Sequence, residues 1–275
     1  MFPQPKKNFG QHFLHDENVI ARILRFVPEG EPIIEIGAGR GALTAHLLGR
    51  TRRLIAIEYD RELIPILRGR FGGEENFALV ERDALDVSFP AIVAPDQTAR
   101  VVANLPYNIG TAILLRLIEQ RACLSEMVLM LQREVVERIT APASEPKKKG
   151  NSGGERGYLS VFVEAYCEAE KLFDVQPAAF TPPPKVWSSV VRVRPRPKIG
   201  TEVADEALLW QIVSAGFAQR RKTIYNNLRG APQLAARIGG GDADVVDLLR
   251  RSEVEAGRRA ETLTLEEWGR IANAV

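Results

Sequence analysis

Cysteine is nearly absent from this chain. Only Cys123 and Cys167 occur among 275 residues, each inside an apolar stretch and neither in a CxxC pair. That excludes a disulfide scaffold and a cysteine zinc site, and it reads as core thiols in a reducing compartment. Histidine is as scarce: His12, His15 and His46 lack metal-ligand spacing with nearby cysteines, and no metal is assigned. No apolar run approaches the roughly 20 residues that cross a bilayer. The N-terminal lysines are followed by no apolar segment of the kind a secretion signal carries, so a cytoplasmic protein without a membrane partner is expected. Net charge is also small, at +2, and does not by itself mark a nucleic-acid binder.

What is present is an ordinary globular composition, 45% hydrophobic, in a chain long enough for one large and one small domain. Charge is local: Lys6-Lys7, Lys147-Lys148-Lys149, and Arg220-Arg221-Lys222 with Arg229 form basic clusters, each readable as a solvated surface or a phosphate contact. The first periodic stretch, residues 18–27, has helical spacing behind Asp16 as N-cap. Ahead of it lies an arm, Phe9-Gly10-Gln11-His12-Phe13-Leu14, able to staple that helix or to cover a ligand.

Ile33-Ile34-Glu35-Ile36 then reads as a strand entering the glycine turn Gly37-Ala38-Gly39-Arg40-Gly41, with a helix after it. Glycines there permit positive φ and close backbone approach to a ligand. A second strand, residues 54–57, ends in Glu58, about 20 positions on, where an acidic residue binds a ribose diol in nucleotide folds. The spacing is GxGxG rather than the nicotinamide GxGxxG. A carboxylate at Glu35 also suits a cationic ligand such as S-adenosylmethionine better than a pyrophosphate. A third strand, residues 77–81, leads to Asp83, which either accepts from an adenine amine or caps its own turn.

The fourth strand, Val101-Val102-Ala103, runs into Asn104-Leu105-Pro106-Tyr107. The proline ends the ladder. The Asn104 side-chain carbonyl and the Leu105 backbone carbonyl are two acceptors beside the flat ring of Tyr107. A flipped-out adenine needs that set, because its amine donates twice and its face stacks. A strand-to-turn junction with a buried tyrosine is the plainer alternative. Gly37, Glu58, Asp83 and Asn104 fall at four successive strand ends, where ligands of doubly wound sheets bind.

Residues 141–157 are rich in Pro, Gly, Ser and charge and read as a surface loop, either a linker or a phosphate contact. Tyr158–Cys167 alternates and is expected to be a strand, as is Trp187–Val193. Between them, Phe180-Thr181-Pro182-Pro183-Pro184-Lys185-Val186 is stiff and extended. Phe180 is a candidate second stacking face opposite Tyr107, or else a core aromatic. Residues 205–217, 222–228, 244–250 and 265–274 show short helical patterns.

With these residues together, the chain resembles the ribosomal RNA adenine N6,N6-dimethyltransferase family of the small subunit, the kasugamycin-resistance methyltransferases. The resemblance rests on Phe9-Gly10-Gln11 with Phe13-Leu14, the Glu35–Gly39 turn, Glu58, Asp83, Asn104–Ile109, Phe180–Val186 and Gln219–Thr223. It covers residues 6 to about 273. It implies a Rossmann-like α/β fold with a seven-stranded, mostly parallel sheet over residues 1–197, whose last strand is antiparallel, and a helical domain over 198–275. It also implies S-adenosylmethionine, with cofactor contacts falling on His12, Leu14, Gly37, Glu58, Asp83 and Asn104. The implied substrate is two adjacent adenosines in the 3′-terminal hairpin loop of small-subunit ribosomal RNA, carried in a small-subunit assembly intermediate; a monomer is expected. His12 departs from the family, which commonly has Asn there. The alternatives are a macrolide-resistance type enzyme acting on large-subunit RNA, or an assembly factor that binds without transferring. A DNA adenine methyltransferase fits less well, since the usual acidic first residue of its tetrapeptide is absent.

Overall fold

The computed structural model describes residues 3–6, 9–143, 156–238 and 241–275. Lys147-Lys148-Lys149 and most of the expected 141–157 loop lie outside the described residues.

Seven strands form one sheet: β1 (Ile33–Ile36), β2 (Leu54–Ile57), β3 (Phe77–Val80), β4 (Ala99–Asn104), β5 (Leu124–Gln132), β6 (Cys167–Val175) and β7 (Ser188–Pro195). Their order is β3-β2-β1-β4-β5-β7-β6. The first five pair in parallel, and β7 runs antiparallel to β5. β1 and β2 are buried at every position because helices cover both faces of such a sheet, which is why they read as unbroken apolar runs. Ile36 pairs with both Ile57 and Ala103, and Ile57 with Val80, so the carboxyl ends of four strands finish level with one another. That alignment makes one rim out of four loops far apart in sequence.

The N-terminal helix α1 (Glu17–Leu24) starts where Asp16 accepts from the N–H groups of Asn18 and Val19, and it buries Val19, Ile20, Ile23 and Leu24. These join Leu43, Leu47, Leu54, Val102, Val128 and Met130 in the main core. Helices α2 (Ala42–Leu47), α3 (Ile64–Phe71), α4 (Phe89–Val93) and α5 (Gly110–Glu119) follow the strands in turn. A two-residue antiparallel ladder pairs Phe13 with Thr181 and Leu14 with Phe180, tying the arm to the head of the proline run.

The chain divides into two compact units. One holds Met1–Val136 and Glu168–Pro195, the other Glu137–Cys167 and Arg196–Val275. The boundary expected at residue 197 therefore lies near the end of the sheet, but residues 137–167 cluster with the helical unit rather than with the sheet.

Tyr158–Cys167 corrects the expectation of a strand. Tyr158–Tyr166 is a helix, α7, after α6 (Arg133–Ile139). Its alternation was incidental to a helix apolar on most sides. Ser160 and Val161 are buried, and Phe162 and Tyr166 both pack on Trp210, with centroids 5.0 and 5.6 Å away. Ser160 itself is satisfied by donating to the Arg138 carbonyl at 2.6 Å. The strand begins one residue later, at Cys167. The other helices of this unit are α8 (Glu206–Gly216), α9 (Ile224–Arg229), α10 (Pro232–Ile238), α11 (Asp242–Arg251) and α12 (Leu265–Asn273), built around the buried Trp268. Arg220, Arg221 and Lys222 are exposed between α8 and α9. Thr223 caps α9, and the buried Asn227 donates to the Gly216 carbonyl, which takes it away from any phosphate contact.

Candidate active site

A cavity of about 230 Å³ opens at the level carboxyl ends of β1, β2 and β4. It sits where a doubly wound sheet places its ligand, beside the point at which strand order reverses. Gly37, Glu58, Asp83, Asn104, Leu105, Pro106 and Tyr107 all line it, together with His12 from the arm.

The glycine turn holds Gly37, Gly39 and Gly41 at φ of 71°, 60° and 79°. The carboxylate of Glu58 organises this turn. It accepts from the Gly39 N–H at 2.8 Å through one oxygen, and from Tyr59 and Asp60 N–H at 2.9 and 2.8 Å through the other. Burial pushes its pKa up, and the three N–H groups oppose that. The oxygen that accepts from Gly39 alone keeps a lone pair for a ligand diol. Asp83 caps its own turn, accepting from the Leu85 N–H at 2.9 Å, and it also lines the cavity. Glu35 does not. Its carboxyl lies under the turn, 1% exposed, accepts from the Thr44 hydroxyl at 2.7 Å and is raised to about pH 8 by burial. At neutral pH it is an uncharged group supporting α2, not a carboxylate facing a cation.

Asn104 ends β4 with its amide oriented. Its Nδ2 donates to the His12 carbonyl at 3.0 Å, which leaves Oδ1 as the acceptor. The Leu105 N–H donates to Met130 O at 3.1 Å, which anchors this residue to β5 at the rim, where its carbonyl is a second candidate acceptor. The hydroxyl of Tyr107 bonds that of Ser188, the first residue of β7, and burial raises the phenol pKa. The His12 ring lies against Tyr107 with centroids 5.2 Å apart, and its Nδ1–H donates to Pro182 O at 2.7 Å. His12 thus meets Asn104 by its backbone, where a departure from the family's Asn has no effect, and uses its side chain on the proline run.

Two expected site residues lie elsewhere. Leu14 and Phe180 face each other across their short ladder and point into the main core, at 5% and 2% exposure. Neither lines the cavity. The Phe180 ring is placed as a core aromatic rather than as a wall opposite Tyr107.

The arm forms one wall, with Phe9, Gly10, Gln11 and Phe13 lining the cavity. What secures it was missed in the sequence. The carboxylate of Asp60, two residues past Glu58, takes Lys6 Nζ at 2.6 Å and Gln11 Nε2 at 2.8 Å. Burial would raise Asp60, but Lys6, the Glu62 N–H and Gln11 together hold its pKa below the usual carboxylate range. Phe9 meets the Tyr59 ring edge-on at 5.7 Å. Gly10, at φ 60°, comes so close to Asn108 that a Cβ would lie 2.9 Å from Oδ1. The only sequence signal was the second acid of Glu58-Tyr59-Asp60, and nothing marked its partner as lying 54 residues upstream.

The strand order, the antiparallel seventh strand and the cavity at the rim define a class I methyltransferase architecture. The chain belongs to the ribosomal RNA adenine dimethylase family, whose profile matches residues 3–268. A Pseudomonas aeruginosa protein named ribosomal RNA small subunit methyltransferase A is 43% identical over 270 residues, covering 98% of this chain and 93% of that one. A protein of the same name from Pseudomonas savastanoi pv. phaseolicola is 44% identical over 273 residues, covering 98% and 94%. Among solved structures, the 23S rRNA methyltransferase ErmE superposes with a TM-score of 0.70 at 26% identity, covering 95% of this chain and 98% of that one. A dimethyladenosine transferase from Plasmodium falciparum reaches 0.76 at 22% identity, covering 94% and 96%, and supports the fold.

Proposed function

We propose that this enzyme dimethylates the N6 amines of two adjacent adenosines in the 3′-terminal hairpin loop of small-subunit ribosomal RNA, using S-adenosylmethionine. The observation that carries the reading is Asn104 Oδ1, turned out as an acceptor beside Tyr107 by the bond from Nδ2 to His12 O, with the carbonyl of Leu105, anchored through its N–H to Met130 O, as the second acceptor. The cofactor fits the donor set: Glu58 offers an oxygen lone pair at the end of β2, Asp83 a carboxylate past β3, and the Gly37 turn close backbone approach. When bound, S-adenosylmethionine supplies a methyl group on a sulfonium that leaves as a neutral thioether.

The residues of the chain do the rest by position. An adenine N6 lone pair is spread into the ring and is a poor nucleophile. Asn104 and Leu105, by accepting its two hydrogens, draw the nitrogen toward tetrahedral geometry and free the lone pair for the methyl carbon. Tyr107 stacks on the base once it is turned out, an extrusion costing a few kcal/mol that is smallest in a loop. The arm closes the cofactor side against water. No general base is needed before transfer, since the extra proton leaves the nitrogen afterwards, and orientation supplies most of the acceleration. The enzyme works as a cytoplasmic monomer on a small-subunit assembly intermediate. Two relatives over 40% identical that bear the small-subunit name support this over the large-subunit type.

Asn104→Ala tests the chemistry. Transfer of tritium from labelled S-adenosylmethionine falls by about two to three orders of magnitude, the scale of losing a preorganised hydrogen-bonding group. Cofactor affinity falls less. Equal methylation by mutant and wild type would overturn the reading.

A further inference from the structure

Most large apolar side chains here are buried, but Val186 and Trp187 are 45% and 44% exposed, side by side at the end of the proline run. Nothing in the reaction above uses them. Trp187 sits immediately before Ser188, whose hydroxyl holds Tyr107, and its carbonyl accepts from the Arg133 N–H at 2.9 Å. Its backbone is therefore fixed at the site's edge while its ring is left to solvent. The Arg133 guanidinium lies 5.8 Å from the centre of that ring, and Lys185 is exposed two residues before it. Asp174 is one acidic group within electrostatic reach of Arg133.

Resting on the proposed RNA substrate, we infer that Trp187 is a stacking platform for an unpaired nucleotide flanking the target adenine, with Arg133 and Lys185 taking the adjoining phosphates. An exposed indole beside cations matches single-stranded RNA, which presents a flat π-face every nucleotide and a phosphate between each pair. Two adjacent target adenosines make such a flanking base obligatory: when one occupies the pocket at Tyr107, its neighbour stands outside. A seat for the neighbour holds the strand while one of the two enters. The indole face is sequence-tolerant, so the same seat serves either register. An apolar protein surface is the rival occupant, and it asks nothing of an aromatic ring or of nearby cations.

The test measures kcat and KM for undermethylated small subunits with wild type, Trp187→Ala, Trp187→Leu and Trp187→Phe, and S-adenosylmethionine affinity by calorimetry. Loss of one stacked base raises KM about 5- to 150-fold, the equivalent of ~1–3 kcal/mol. That rise is expected for the Ala and Leu variants, with cofactor affinity unchanged and Phe restoring most of the loss. Ala indistinguishable from wild type overturns the inference, as does Leu restoring KM as well as Phe, which would mean an apolar protein contact. If wild type places no label on small-subunit RNA, the functional reading fails and this inference with it. If wild type labels that RNA and the Ala variant does so with unchanged KM, only the platform is lost.

Discussion

Asn104 is held by its own amide nitrogen. Because Nδ2 is committed to the His12 carbonyl, the acceptor proposed for catalysis depends on the arm being in place. The latch that closes it is Asp60, with Lys6 and Gln11 on its two oxygens. Asp60→Asn keeps the shape and removes the charge that holds Lys6, so both cofactor KM and kcat should suffer, KM by several-fold and more at low salt than at high. Steady-state kinetics over an ionic-strength series checks this. A KM equal to wild type at all salt concentrations would show the latch to be idle. The four strand-end residues were legible because each stands at a fixed offset from an apolar run. Asp60 was not, since a carboxylate's partner across 54 residues leaves no local pattern. The orientation of Phe180 was equally hidden, because a two-residue ladder is too short to show alternation.

At the scale of elements, the glycine turn and α2 depend on two buried features beneath the cavity. Gly41, at φ 79°, abuts Phe71 of α3, and a Cβ there would lie 2.5 Å from the ring. Gly41→Ala combines backbone strain with overpacking and should cost about 2–4 kcal/mol of stability by urea denaturation. Glu35 provides a pH signature. Burial raises its folded-state pKa from the model-peptide value of 4.5 to about 8, so between those values the folded chain keeps a proton the unfolded chain has lost. Stability contributed by this group is therefore full below about pH 4.5 and declines as pH rises toward 8, at up to ~1.4 kcal/mol per pH unit. Glu35→Gln removes that decline, and its melting temperature relative to wild type should rise from pH 5.5 to pH 8. An unchanged difference across this range would contradict a neutral buried carboxyl. The sequence showed an acid next to the turn but not which way the strand turned it: on a strand buried on both faces, alternation no longer distinguishes cavity from core. Tyr158–Tyr166 misled for a related reason. Its β-branched and aromatic residues favour a strand, yet the Trp210 cluster and the Ser160 bond to Arg138 O select a helix.

At the scale of the whole molecule, the helical unit takes residues 137–167 from the middle of the chain as well as everything after Pro195. The chain is therefore not cut cleanly at residue 197. A protein ending there keeps α7 but loses Trp210, against which Tyr158, Phe162 and Tyr166 pack. Such a truncation should bind a hydrophobic dye and melt well below the full chain; a sharp, unshifted transition would show the sheet unit to be independent. The composition gave no hint of this exchange, because nothing local marks a helix as belonging to a distant partner. The proposed substrate is tested on the whole molecule. The most direct measurement is methyl transfer from labelled S-adenosylmethionine to undermethylated small subunits and, in parallel, to large subunits, with the modified base mapped. N6,N6-dimethyladenosine is expected at two adjacent positions of the 3′-terminal small-subunit hairpin and none on the large subunit. Label confined to large-subunit RNA, or tight binding to the small subunit without transfer, would contradict it.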